Sequence, residues 1–100
     1  MTWVRVAGLD EIAEGCGRVV NRGPDSIAVF KHQDAYYALD NRCPHQDGPL
    51  GRGWIEGDLV VCPLHFWKFE IRTGKMPLLA NVGVRTYATE ARADGVYVDW

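Results

Sequence analysis

The chain reads as all-β: a small antiparallel sandwich or barrel carrying a metal-binding tip made of two loops. Three observations predict this. Apolar and polar residues alternate in short segments broken by Gly, Asp and Pro, the period of strands with one buried face. Two Cys/His pairs, Cys43-Pro44-His45 and Cys62-Pro63-Leu64-His65, stand among residues that favour tight turns. Finally, 100 residues give a modest core, which a metal centre tying two loops together would reinforce.

The elements follow in order. Thr2 to Ala7 opens as a strand, and Leu9-Asp10-Glu11-Ile12 reads as a single helical turn. Arg18 to Asn21 and Ser26 to Phe30 are strands joined through Arg22-Gly23-Pro24-Asp25, and Tyr36 to Asp40 returns after the polar turn Lys31-His32-Gln33-Asp34. His32 is expected there as a solvated surface residue. Glu56-Gly57-Asp58 is a turn before Leu59-Val60-Val61, the strand that delivers Cys62. Trp67 to Ile71 alternates apolar and charged, so one face is buried and the other wet. Arg85 to Ala88 and Val96 to Asp99 are expected to pair across Ala93-Asp94-Gly95, whose Asp-Gly step favours a hairpin. No repeat, linker or low-complexity tract interrupts this pattern, so one domain is expected over residues 1–100.

Composition excludes several classes of function. Hydrophobic residues at 47% and charged residues at 24% are ordinary for a soluble globular protein. A net charge of −2 offers no basic stripe for nucleic acid. No apolar run spans a bilayer, and Met1-Thr2-Trp3-Val4-Arg5 lacks a signal-peptide core, so a cytoplasmic protein away from membranes is expected. Of three cysteines, two belong to the Cys/His pairs. Cys16, flanked by glycines in a polar stretch, is expected as a partly exposed thiol without a role, which fits a reducing compartment.

The Cys/His pairs carry the chemistry. They are separated by the 16 residues from Gln46 to Val61, and each supplies one thiolate and one imidazole. Two such loops pressed tip to tip offer Cys43, His45, Cys62 and His65 to either a zinc ion or a mixed-ligand iron–sulfur cluster. A closed zinc site usually draws on Cys-Cys and His-His pairs rather than mixed ones, which favours iron–sulfur. Leu50, Leu64 and Phe66 are expected as a dry collar around the centre, and Gly48 as relief for a crowded backbone. Trp54 and Trp67 are expected to pack rather than relay electrons. Asp47 and Glu56 do not surround a nucleophile. Glu11, Glu14, Asp10 and Asp25 read either as an acidic docking face for a basic partner or, by default, as a solvated edge.

The segments Cys43-Pro44-His45-Gln46-Asp47-Gly48-Pro49-Leu50 and Cys62-Pro63-Leu64-His65-Phe66-Trp67-Lys68-Phe69, closed by Thr73-Gly74, resemble the cluster-binding loops of Rieske [2Fe–2S] proteins. The resemblance implies an antiparallel β base with an inserted cluster-binding subdomain, here about residues 42–74. It also implies one [2Fe–2S] cluster, with Cys43 and Cys62 on the inner iron and His45 and His65 on the outer. Replacing two thiolates by neutral imidazoles changes the oxidised centre from a dianion to a neutral one. Such clusters therefore lie at about −150 to +300 mV, against about −400 mV for plant-type ferredoxins.

High-potential members carry an extra cysteine in each loop and a serine after the second histidine. Here Leu64 and Phe66-Trp67 occupy the corresponding places and no cysteine follows His45, which implies the lower part of that range. Met76-Pro77-Leu78 corresponds to a third shielding loop. His65-Phe66-Trp67-Lys68-Phe69 with Arg72-Thr73-Gly74-Lys75 is similar to the ferredoxin components of aromatic-ring dioxygenases. The implied role is a one-electron carrier without catalysis of its own, monomeric when free, between a flavin-dependent ferredoxin reductase and a terminal oxygenase. Val84-Arg85-Thr86-Tyr87 and the loops also resemble the small subunit of NAD(P)H-dependent nitrite reductase, which would instead join a large subunit. A zinc-stabilised interaction module is the remaining alternative.

Overall fold

The computed structural model describes residues 2–44, 48–64, 66–79 and 81–100. Among the described residues the strands are β1 (Trp3–Ala7), β2 (Gly17–Arg22), β3 (Asp25–His32), β4 (Ala35–Asp40), β5 (Trp54–Glu56), β6 (Leu59–Val61), β7 (Lys68–Glu70), β8 (Thr86–Tyr87), β9 (Thr89–Arg92) and β10 (Gly95–Asp99). They form three antiparallel sheets ordered β1-β10-β9, β2-β3-β4-β8 and β5-β6-β7. The expected all-β antiparallel architecture is therefore the one observed.

The central sheet is buried on both faces. Ile27-Ala28-Val29-Phe30 in β3 is a continuous apolar run, and all four residues are wholly inaccessible. Because side chains alternate along a strand, Ile27 and Val29 face one way and Ala28 and Phe30 the other. The first pair packs with Val6, Val96 and Val98 of the β1-β10-β9 sheet and with Trp100 just after it. The second pair packs with Leu50, Val60, Phe69 and Ile71, together with Cys43 and Cys62. The sheet β5-β6-β7 and both cysteine loops lie in sequence between β4 and β8, which are themselves paired through Ala38↔Tyr87 and Leu39↔Thr86.

Several local expectations are corrected. Leu9 to Ile12 is not helical: one hydrogen bond, Glu11 N to Gly8 O, closes a turn, and the Glu11 carboxylate takes the Gly8 amide at 2.6 Å. β3 continues through Lys31 and His32, so the turn is only Gln33-Asp34, both at positive φ as a two-residue hairpin demands. His32 is consequently not a surface residue. It is 7% exposed, and its Nε2 meets Asp58 Oδ1 at 2.8 Å, tying the central sheet to the β5–β6 turn. The partner of β10 is β9, with Arg92 opposite Gly95, rather than Arg85 to Ala88. The tight turn at Ala93-Asp94 requires the four residues immediately before it to pair, and Thr86-Tyr87 joins β4 instead.

Candidate metal centre

Each cysteine closes its own loop. Cys43 N donates to Gly48 O at 2.9 Å and Cys62 N to Trp67 O at 2.8 Å, so each bond encloses four residues that begin with proline. Pro44 and Pro63 have no amide hydrogen and a fixed φ, which suits the first position after a strand that must turn at once. His45 and His65 fall within these enclosed segments in the sequence. Both lie outside the described residues, as do Gln46 and Asp47.

The first loop is held at its neck by Asn41, a buried polar residue at 8% exposure. Its backbone N–H donates to Ser26 O and its carbonyl accepts from Leu50 N at 2.7 Å. Its side-chain Oδ1 accepts from Gly51 N at 2.8 Å. These bonds fix a single 3-10 turn, Leu50–Arg52, that places Leu50 wholly inside the second core. The second loop is delivered by β6 and leaves along β7, where Phe69 is buried between exposed Lys68 and half-buried Glu70. Phe66 supplies the reversal with φ +60. This left-handed conformation costs a bulky residue about 1–2 kcal/mol.

Cys43 and Cys62 are wholly buried and belong to one apolar cluster with Leu50, Val60, Phe69 and Ile71. The loops touch: a Cβ added at Gly48 would stand 2.6 Å from Cys62 Sγ and 3.3 Å from Leu64. Two buried thiols thus lie in one cluster, on loops in direct contact whose necks are closed by the cysteines' own amides. Those thiols fit a group that needs two thiolates and further donors from the same loops. Among the described residues no three of His, Cys, Asp and Glu gather as an alternative metal site. Cys16, by contrast, is exposed.

The expected collar is not one layer. Leu50 lies beneath the cysteines, whereas Leu64 and Phe66 are at the surface, Phe66 at 61% exposure. Beside them the third loop is closed by Val84 N to Gly74 O and Met76 N to Val82 O. Gly74 is required there: its φ is +75, and a Cβ would collide with the Val84 carbonyl. Met76, Pro77 and Leu78 face Phe66, Trp67, Lys68 and Leu59 across a groove of about 440 Å³.

Nearby carboxylates are committed elsewhere. Glu56 accepts from Trp54 Nε1 at 2.8 Å and Lys68 Nζ at 3.1 Å, and these donors hold its carboxyl below the usual range. The His32 hydrogen bond, with Arg72 at 3.5 Å, does the same for Asp58. Glu11 pairs with Arg18, and Glu14 caps the amides of Gln33 and Asp34, so neither belongs to the loops. Sequence reasoning did not single out Asn41 or Asp58, since neither stands in a pattern that differs from an ordinary turn.

Comparison with known proteins agrees with this geometry. The model of the Rieske [2Fe–2S] domain matches residues 2–88. The ferredoxin component of biphenyl 2,3-dioxygenase from Rhodococcus jostii (strain RHA1) is 34% identical over 100 residues, covering 99% of this chain and 94% of that protein. Among solved structures, a chain in the complex of reduced oxygenase and oxidised ferredoxin of carbazole 1,9a-dioxygenase superposes with a TM-score of 0.85 at 30% identity, covering 95% of this chain and 99% of its own. An NADH-dependent nitrite reductase small subunit from Mycobacterium tuberculosis gives 0.88 at 21% identity, covering 97% and 93%, a likeness of fold. The family match over most of the sequence decides between zinc and iron–sulfur, and the buried cysteines on touching loops accord with it: the chain belongs to the Rieske [2Fe–2S] family.

Proposed function

We propose that this chain is a one-electron carrier whose cluster is held by Cys43, His45, Cys62 and His65, and that it serves a terminal oxygenase. The observation that carries the proposal is the matched pair of loops, each closed by the amide of its own buried cysteine. When bound, a [2Fe–2S] cluster accepts and returns one electron at a time. The chain supplies the rest. Cys43 and Cys62 would supply the two thiolates, and Leu50, Phe69 and Ile71 in the same buried cluster would keep water from them. His45 and His65 would supply the two remaining donors as imidazoles.

The oxygenase reading is supported by the ferredoxin component from Rhodococcus jostii and by the carbazole dioxygenase complex, which pairs a ferredoxin with an oxygenase. A flavin-dependent ferredoxin reductase is the proposed donor. The nitrite reductase small subunit is the second reading, favoured by the fold likeness to the mycobacterial protein. Residues 1–100 form one domain in this proposal, with a cluster-binding subdomain at about 42–74, acting as a cytoplasmic monomer. No helix among the described residues is long and apolar enough to cross a membrane.

The test combines spectra and turnover. The purified protein should be red-brown, and after dithionite its EPR should show an average g below that of all-cysteine [2Fe–2S] centres. NADH with a ferredoxin reductase should reduce it, and the reduced protein should support turnover of an aromatic-ring oxygenase. A colourless protein containing zinc refutes the proposal. Co-purification with a large sirohaem subunit, without reduction by the reductase, selects the second reading.

A further inference from the structure

Phenylalanine is an unexpected residue at position 66. Outside the tight Gln33-Asp34 turn it is the sole non-glycine at positive φ among the described residues. Glycine would satisfy that backbone without steric cost, so what phenylalanine adds is its ring. The ring does not enter the core; it leans on Trp54 with centroids 5.8 Å apart and planes at 56°. Trp54 is itself fixed. It sits on β5 opposite Val61, which in turn lies opposite Lys68 on β7. Its Nε1 binds Glu56, and Glu56 also binds Lys68. The strained turn of the second loop therefore rests on a platform that spans all three strands of its sheet.

We propose that Phe66 and Trp54 form an aromatic brace that positions the second cluster loop, so that the ring contact sets how firmly the protein keeps its cluster. The inference rests on the cluster assignment above. Neither residue is a ligand; both act through the backbone between Cys62 and Trp67.

The test follows loss of visible absorbance in the presence of a chelator for the reconstituted protein and its variants, with EPR g-values recorded for each. Trp54→Ala should speed loss by roughly five- to ten-fold, the scale of an aromatic pair. Phe66→Ala should be faster than Phe66→Gly, because alanine keeps the left-handed penalty that glycine removes. In the Phe66→Gly background, Trp54→Ala should change the rate by less than about two-fold, because the coupling has already gone. Trp54→Phe retains a ring but loses the Nε1–Glu56 bond, so it should fall between wild type and Trp54→Ala, which guards against a simple failure to fold. Shifted or broadened EPR lines should accompany the fast variants. Equal effects of Trp54→Ala in both backgrounds overturn the brace. So does wild-type retention with partner turnover alone impaired, which would make Phe66 a docking residue. A wild-type chain that takes up no [2Fe–2S] cluster removes the underlying reading, and the brace with it.

Discussion

Gly48→Ala tests the contact between the two loops. The added Cβ would lie 2.6 Å from Cys62 Sγ, closer than real contacts allow, and 3.3 Å from Leu64 Cγ and Cδ1. The φ of Gly48 is outside the left-handed region, so space alone is at stake. Cys62 is wholly buried and cannot swing away, and overpacking of this kind costs about 1–3 kcal/mol. For a domain this size each kcal/mol lowers Tm by about 4–8 °C, so a fall of roughly 4–24 °C is expected. Gly57→Ala is the matched control: its φ is +61, and nothing lies within 4 Å of the new methyl. It should cost about 1 kcal/mol through backbone strain and leave iron and sulfide content unchanged. Gly48→Ala should lose iron and sulfide as well as Tm. If it matches Gly57→Ala in metal content, the loops do not meet at Gly48 and the reasoning fails.

Three further expectations concern the supports of the loops. His32→Leu and Asp58→Ala, measured singly and together in urea, should be non-additive, the double variant losing less than the sum of the two single losses. The Asp58 pKa is held down chiefly by His32, so its contribution is present above the unfolded value of about 3.9 and should fade as pH falls through the depressed folded value. Asn41→Ala leaves the buried Gly51 amide without its acceptor and should destabilise by about 1–3 kcal/mol, whereas Asn41→Asp keeps an acceptor and should recover part of that loss. Burial and a 2.6 Å bond to Asp40 push the Tyr87 hydroxyl up to about 12. Its stabilising contribution is complete below pH 10 and lost between about 10 and 12. Ultraviolet titration of the four tyrosines should reveal a late group that disappears in Tyr87→Phe.

What was legible in the sequence follows from what kinds of information are local. The family was legible because the Cys/His spacing is written in consecutive residues, and Cys43 and Cys62 do share one buried cluster. Strands such as Lys68–Glu70 were legible because the alternation around buried Phe69 is written in consecutive residues. Thr89–Arg92 was not, because its residues are exposed or half-buried and carry no such alternation, so the Ala93-Asp94 turn was assigned the wrong incoming strand. His32 was misread because Lys31, Gln33 and Asp34 look like a turn. Its hydrogen-bond partner is Asp58, 26 residues away, and distant partners leave no local mark. The two-sided burial of Ile27 to Phe30 likewise needs two other sheets to become visible.

The hydrogen-bond pattern of the loops bears on the potential. Bonds from backbone amides to cluster sulfurs stabilise the reduced state and raise the potential. At each cysteine the two nearest amide positions are closed to that role. Cys43 N and Cys62 N donate to Gly48 O and Trp67 O, and the following residues are Pro44 and Pro63, which have no amide hydrogen. Phe66 and Trp67, after the second histidine, also offer no hydroxyl to a sulfide. The potential should therefore lie in the lower half of the window from about −150 to +300 mV. Phe66→Ser should raise it by supplying a hydroxyl. Protein-film voltammetry at neutral pH measures both. A wild-type value in the upper half of the window, or an unchanged potential in Phe66→Ser, would show that the field at the cluster is set by groups other than these loop residues.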